Sequence, residues 1–460
     1  MKPKRKRVSV AVIGGGITGI TAALYLAKTG RFRVTLFEKE KELGGLSRSY
    51  RWKDIVWDRF YHVILSTDTH LLKLIESLNL QNEISWCDSK SGFYDKGRLV
   101  SFSSALDFLL FPFLSIWQKF RLAAGIIFCS RIKDPDKLGR VYVRQWLTGV
   151  FGRRVYEKFW DPLLRSKLGT ARGRTSGAFM WATIKRMYGA RSSGTKQEKM
   201  GYVHGGYHRI LQFAESELEK RGVKILTQNT VTKVSARLDS YTLKKNGAID
   251  THLSTHSEEM VSIETFSNTL KFDKVLLTIP SPSILRMLGD PDDHPYWQML
   301  HGVDYLSMVC VFLVLTRKLS PYYVINLLDK SLPFTGIIEA TNVVLPTEVG
   351  NRHLIYLPKY LPAEDPMNHV EDDQIIEYFV ANLKKVYPDL SNEDILHRQI
   401  FREKYVQPLQ ELNFLDRAMG FKTPLDNIYI VNSSMIYNSN LNNNAVIDLA
   451  QRAVSIISKE

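Results

Sequence analysis

The chain has 460 residues, 44% of them hydrophobic and 24% charged, with a formal net charge of +15. That length and balance exclude a disordered chain and leave room for two or three domains with sizeable cores. Its three cysteines, Cys87, Cys129 and Cys310, show neither C-x-x-C nor metal-ligand spacing, which speaks against a disulfide framework and a metal site and for core thiols in a reducing compartment.

Positive charge begins at Lys2, Lys4, Arg5, Lys6 and Arg7. A basic start before an apolar run imitates a secretory signal, but no small-residue cleavage site follows, so the chain is read as cytoplasmic. It has no zinc finger, RNP-type run or helix-turn-helix pattern, and nucleic acid is not an expected partner. An anionic small-molecule substrate, peripheral contact with an anionic membrane at its inner face, and a plain solvated basic face stay open. Oligomeric state is not legible.

Val8 to Ile13 reads as a short buried strand that stops at Gly14-Gly15-Gly16. Gly14, Gly16 and Gly19 satisfy G-x-G-x-x-G: the first permits a tight turn, the second lets the backbone approach a pyrophosphate, and the third lets helix and strand pack closely. Ile17 and Thr18 open a helix that carries Ile17, Ile20, Ala23, Leu24 and Ala27 on one face and turns its positive N-terminus toward an anion. Gly30 ends it. The next strand, Arg33 to Phe37, delivers Glu38 and Lys39 about twenty residues past the last motif glycine, where a carboxylate accepts ribose hydroxyls and disfavours a 2′-phosphate. The order points to FAD or NAD over NADP.

Gly44-Gly45-Leu46-Ser47-Arg48 follows, and two glycines there let the chain pass close to the pyrophosphate while Arg48 faces phosphate or substrate. The run from Glu38 to Gly45 resembles the extended signature of FAD enzymes of the glutathione-reductase-like, amine oxidase type. Residues 50–65 alternate aromatic and polar side chains as a strand and turn. They resemble the segment that runs past the isoalloxazine in amine oxidase type flavoproteins, usually D-x-G-x-H. Asp58 and His62 keep the spacing, Phe60 takes the glycine position, and His62 is open between an edge-strand position and a flavin-facing one.

From His70 to Met200 the chain reads as helical, aromatic and increasingly basic. Ala105 to Ser130 is the most apolar stretch, but a spanning helix needs about twenty uninterrupted apolar residues, and Pro112, Gln118, Lys119 and Arg121 interrupt it. It is read as a buried helix pair beside the active site, with an amphipathic surface dipping into a bilayer as the alternative. Residues 131–199 hold Arg140, Arg144, Arg153, Arg154, Arg165, Lys167, Arg172, Arg174, Lys185, Arg186 and Arg191 against few acids. An anionic substrate would be gripped there, unless the run is a solvated helix face. Tyr188 to Lys199 reads as a mobile loop.

Gly205-Gly206 opens an amphipathic helix through Ile210, Leu211, Ala214 and Leu218, followed by strands at Val223 to Leu226, Val231 to Val234 and Lys274 to Pro280, with a β-meander over 238–270. Residues 286–400 make a second excursion, with a core strand at Met308 to Leu315 and a helix over 372–386. Asn427 to Val431 is a strand and Asn443 to Ile457 the closing helix. No Ser-His-Asp order, H-E-x-x-H or paired-carboxylate motif appears, and no catalytic side chain is identified.

With the LGT, GYVHGGYHRIL, YVQPL and IYIVN segments, these motifs resemble protoporphyrinogen oxidase-like and amine oxidase-like flavoproteins over nearly the whole chain. The resemblance implies an α/β fold: a Rossmann-like, glutathione-reductase-like FAD-binding domain (1–69, 201–285 and 401–460) with an inserted mixed α+β substrate domain (70–200 and 286–400). It implies that Val231 backs the adenine through its main chain. It also implies that Asn432, which stands where the family usually has Gly-Asp, offers an amide near the ribityl phosphate, and that the last helix points its N-terminus at the flavin pyrimidine. The expected chemistry is hydride transfer from a C–N or C–C unit of an anionic or lipophilic small molecule to FAD. A redox-neutral enzyme similar to UDP-galactopyranose mutase and a binding protein similar to Rab GDP-dissociation inhibitors are the alternatives; the intact glycines and Glu38 count against the latter.

Overall fold

The computed structural model describes residues 7–191, 199–236, 260–291, 294–437 and 439–460. The basic residues 2–6 and most of the loop expected after Tyr188 lie outside them. β1 (Val8–Ile13), α1 (Ile17–Lys28) and β2 (Phe32–Phe37) form in the expected order. They nucleate a five-stranded sheet in the order Lys224–Leu226, β2, β1, Lys274–Leu277, Ile428–Ile430, with every neighbouring pair parallel. A parallel sheet is covered on both faces, which is why Val10, Ala11 and Val12 are all fully buried. α1 packs against the helices Asn443–Ile457 and Gly206–Lys220. Beside this layer Val231–Ser235, Val261–Thr265 and Thr269–Phe272 form the expected antiparallel meander; residues 237–259 lie outside the described chain.

A second, seven-stranded sheet runs in the order Ile395–Pro408, Tyr305–Leu315, His353–Leu361, Gly336–Glu339, Val324–Leu327, Ser91–Asp95, Arg98–Ser101. It is mixed, because Val324–Leu327 pairs parallel with Ser91–Asp95 and the other pairs are antiparallel. Strand alternation splits its side chains between two cores. Val309, Val311, Leu313, Ile355 and Leu357 face the helix Asp372–Val386, which buries Ile375, Ile376, Phe379, Val380, Leu383 and Val386, the face read from the sequence. Cys310, Phe312, Tyr356, Tyr360 and Phe401 face the other way, into a core shared with Trp57, Phe60 and the helices of 143–184.

Three expectations change here. The region 70–200 is not simply helical, since Ile84–Asp88 joins a small sheet with Lys199–Val203 and the next two strands belong to the seven-stranded sheet. Tyr188 to Arg191 is the end of the helix Gly177–Arg191 rather than loop. The pair Ala105–Leu110 and Ile116–Ser130 is helical but not buried: the long helix turns only Lys119, Leu122, Gly125 and Cys129 fully inward and leaves Trp117 80% exposed. Among the described residues no helix is long and apolar enough to cross a membrane.

Candidate cofactor cleft and active site

The glycine turn is built as its sequence requires. Gly14 sits at φ +108°, a conformation L side chains rarely adopt, and a Cβ on Gly19 would lie 1.8 Å from the Gly14 carbonyl oxygen. Thr278, at the end of the neighbouring strand, donates its hydroxyl to the carbonyls of Ile13 (2.9 Å) and Gly14 (3.0 Å) and fixes the turn from the far side. Gly16 is the N-cap of α1 and offers no side chain to its first turn, so the dipole's positive end is left for an anion. Ile17 and Thr18 open that turn. The second glycine pair lies against the first: Gly44 N donates to Gly15 O at 2.7 Å, and a Cβ on Gly45 would meet Gly16 Cα at 3.1 Å. Side chains at either place would fill the cradle between the two glycine pairs, whose open backbone fits a pyrophosphate.

Glu38 is buried at the tip of β2. One carboxylate oxygen accepts from Gly15 N (2.7 Å) and the other from Glu40 N (2.9 Å), which leaves further lone pairs on each for ribose hydroxyls. The adjoining chain is pinned to it, with Asn229 N donating to Glu38 O at 2.9 Å, and Val231 follows as a buried strand residue. The Lys39 side chain is 71% exposed and, among the described residues, pairs with Glu40 at 3.6 Å, which turns its ammonium toward solvent.

Arg48 is not a free anion grip. Its guanidinium lies 2.9 Å from Glu40 and 3.9 Å from Glu403, its Nε donates to Gly45 O at 3.2 Å, and Glu403 also pairs with Arg59 at 3.3 Å. Two arginines and two glutamates thus tie the Gly-Gly loop to the strand Ile395–Pro408. Leu46 packs against the second core, and buried Ser47 accepts from Asn443 Nδ2 at 3.2 Å.

That last bond belongs to a web of asparagines that sequence reading missed. Asn440 Nδ2 donates to Thr183 Oγ1 (3.0 Å), Asn442 caps the closing helix by accepting from Ala445 N (2.9 Å), and Asn444 Oδ1 accepts from His70 N (2.7 Å) and Leu71 N (3.1 Å). The signal was the Asn-rich run itself, since asparagine is among the preferred N-caps. Asn432 is spent on the protein: its amide donates to Ile279 O (2.9 Å) and accepts from Ser434 N (3.0 Å) and Oγ (2.7 Å), so its side chain braces its own loop instead of offering a free amide.

The segment after Ile55–Asp58 takes its path from Asp58, which is buried and accepts from Tyr207 N (3.0 Å) at the start of the helix Gly206–Lys220; its carbonyl accepts from Tyr356 Oη (2.6 Å). Phe60 fills space where glycine is usual, packing edge-on to Phe401 at 6.1 Å in the second core. His62 lies in the loop beyond the strand, partly buried, with its ring 4.8 Å from that of Tyr207 and Nδ1 3.5 Å from Asp58. Tyr61 points across to the second sheet, where its hydroxyl is 3.4 Å from that of Tyr360, and Lys167 Nζ lies 3.5 Å from the Tyr360 ring centroid. Burial pushes the Tyr61 phenol well up. It pushes Tyr360 up as well, but the Lys167 charge together with the hydrogen bonds of Lys167 and Tyr61 outweighs burial and holds Tyr360 below the ordinary phenol range. No motif could reveal this trio, because its members come from three distant parts of the chain.

Part of the basic run of 131–199 is paired with carboxylates. Arg172 and Arg165 share Asp161, Arg174 bridges Asp304 (2.7 Å) and Glu411 (2.6 Å), Arg186 holds Asp68 (3.2 Å) and Arg140 holds Asp416 (3.1 Å). These five arginines brace the fold, whereas Arg131, Arg144, Arg153 and Arg154 of the same run stay exposed.

A parallel sheet with this glycine turn and acidic tip, joined to a mixed sheet by a loop passing between them, is the architecture of a flavin-dependent oxidoreductase, and the residues present fit FAD. The family profile described as flavin containing amine oxidoreductase matches residues 17–439, and the chain belongs to that family. It is 19% identical to a 15-cis-phytoene desaturase of Synechococcus elongatus over 404 residues, 82% of this chain and 80% of that one. Its fold is similar to that of an Exiguobacterium protein provisionally described as a protoporphyrinogen oxidase (TM-score 0.75, 18% identity, 99% and 100% of the two chains). It is also similar to reduced UDP-galactopyranose mutase (TM-score 0.72, 16% identity, 98% and 96%). The protein is a FAD-dependent oxidoreductase of the amine oxidase, protoporphyrinogen oxidase-like superfamily.

Proposed function

We propose that the enzyme removes a hydride from a C–N or C–C unit of a lipophilic small molecule held beside Tyr61 and the aromatic face of the seven-stranded sheet on which it packs. The observation that carries this reading is that face: Phe312, Tyr356, Tyr360 and Phe401 meet the 58–62 segment, while the neighbouring arginines are engaged with carboxylates. Bound FAD supplies the two-electron acceptor. Gly14, Gly16, Ile17, Thr18, Gly19 and Gly45 hold the pyrophosphate, Glu38 the ribose, and Val231 backs the adenine. Leu46, Ser47 and Arg48 fix the loop beneath, and Lys39 and Asn432 enter only through their backbone. The reading assigns 1–69, 201–285 and 401–460 to the cofactor and 70–200 and 286–400 to the substrate, with the strand Ile395–Pro408 shared between them. A peripheral place at the inner face of a membrane belongs to the same reading, as the source of a lipophilic substrate.

Loss of a hydride from carbon and a proton from its neighbour leaves a C=N or C=C bond. In this reading Tyr360 accepts that proton as the tyrosinate, the form favoured by the Lys167 charge beside it, and Tyr61 lies 3.4 Å from the oxygen that takes it. General base catalysis is worth about 10²–10⁴-fold, so Tyr360→Phe slows anaerobic flavin reduction by that order. Lys167→Met moves the acid limb of the rate profile to higher pH, because the phenol loses the charge that lowers it. Unchanged reduction rates in both variants would remove the trio from the chemistry.

A further inference from the structure

We propose that the outer face of the helix pair Ala105–Leu110 and Ile116–Ser130 docks the protein onto an anionic lipid bilayer, with Trp117 and Phe120 inserted among the acyl chains. In the short helix Leu106, Leu109 and Leu110 are 63, 57 and 70% exposed. In the long one Ile116, Trp117 and Phe120 are 63, 80 and 71% exposed, and Ile127 and Phe128 continue the row at helical spacing. Single exposed apolar residues need no explanation, but eight within one helix pair form a patch of the kind that marks an interaction surface.

The fold holds this face outward. Each helix starts with a capping box, Ser104 with Asp107 and Ser115 with Gln118. The inward side of the long helix is locked by close packing, since a Cβ on Gly125 would lie 2.4 Å from the Phe151 ring. Phe111, between the helices, is buried against Phe93 and Phe102. Two of the three charged side chains of the pair are turned away from the outer face, and Arg121 alone stays exposed on it. Asp107 turns back to accept from Ser101 Oγ (2.6 Å) and Ser103 N (2.8 Å), and Lys119 is buried with Nζ donating to Leu109 O (2.5 Å).

Cations border the patch. Arg121 lines a surface groove of about 390 Å³ with Ala124 and Phe128, and its guanidinium lies beside Gly152, so the exposed Arg153 and Arg154 adjoin it; Arg131 caps the long helix. Apolar side chains edged by arginines match acyl chains edged by phosphates. The same edge would set like charges against each other if a second copy covered the face. Fifteen residues make about 22 Å of helix, too short to span a bilayer, so the long helix lies in the interface plane.

The inference deepens the membrane part of the proposed function and is independent of its chemistry, because flotation reports contact and flavin bleaching reports turnover. The test is flotation of the full flavin-loaded protein with phosphatidylcholine vesicles, with and without phosphatidylglycerol, at 0.1 M and 1 M salt. We expect most of the protein to float with the anionic vesicles, less with neutral ones, and less at 1 M salt, where the Debye length falls from about 10 to about 3 Å. Trp117→Glu/Phe120→Glu lowers the bound fraction about tenfold with flavin absorbance unchanged, and Arg131→Glu/Arg154→Glu removes the preference for anionic lipid. Wild-type protein left in the lipid-free fraction, a Trp117→Glu/Phe120→Glu variant that floats equally well, or a dimer dispersed by that variant would each overturn the proposal.

Discussion

Gly19 has the least room of any glycine in the cofactor turn. Its added Cβ would overlap a backbone oxygen, which cannot swing aside as a side chain does, so Gly19→Ala must open the turn. Overpacking costs about 1–3 kcal/mol, and the distortion falls where the pyrophosphate binds. The variant is expected to fold with a lowered urea midpoint and to lose its flavin on ultrafiltration; retention of FAD at wild-type stoichiometry would contradict the assignment. Glu38 is a less clean probe than the sequence suggests, since it also accepts from Gly15 N, and its removal would strand that donor.

His397 shows what residue-level reading cannot reach. Its ring stacks between those of Tyr50 and Trp52, at centroid distances of 5.9 and 4.9 Å, and Nε2 lies 3.1 Å from the Tyr50 hydroxyl. Burial, with a smaller contribution from Lys53, lowers its pKa from 6.5. A histidine with a lowered folded pKa contributes stability that is fully present above about pH 6.5 and is lost as pH falls through the folded value. Urea midpoints between pH 7.5 and 5.5 should therefore fall less steeply in His397→Phe, which keeps the stacked ring and removes the titration. Parallel profiles would show that the ring does not titrate in this window.

At the scale of elements, strong periodicity was legible and partnership was not. The helix Asp372–Val386 follows its apolar stripe, because one core lies against it, whereas α1 also buries Thr21, Ala22 and Leu26 outside its stripe, because it packs against two helices as well as the sheet. The stretch 105–130 misled because nearly every position is apolar, so the sequence held no sign of which side would be covered. A lysine reads as solvent-facing, yet Lys119 is the inward residue here and Trp117 the outward one. The helix Thr69–Ser77 carries another hidden dependence. Asp68 makes no capping bond to it, and Asn444, from the other end of the chain, accepts from His70 N and Leu71 N instead. Asn444→Ala leaves those donors without their acceptor and should cost about 1–3 kcal/mol in urea unfolding; a midpoint unchanged within error would mean water replaces the amide.

For the whole molecule, the sheet assembled from three separated segments could be anticipated because each strand announces itself locally. The four-charge network of Glu40, Arg48, Arg59 and Glu403 and the Tyr61–Tyr360–Lys167 trio could not, since each is made by residues that only the completed fold brings together. The fold is also that of a reduced UDP-galactopyranose mutase, so the fold alone leaves the direction of electron flow to experiment. The decisive measurement is the visible spectrum of the purified protein, followed anaerobically as a polyene, a porphyrinogen and an amine are added in turn. Net oxidation predicts a yellow protein whose flavin band bleaches with one of these substrates and returns when an electron acceptor is admitted. A colourless protein that releases no flavin on denaturation, or turnover seen only after dithionite reduction with no acceptor consumed, would contradict it.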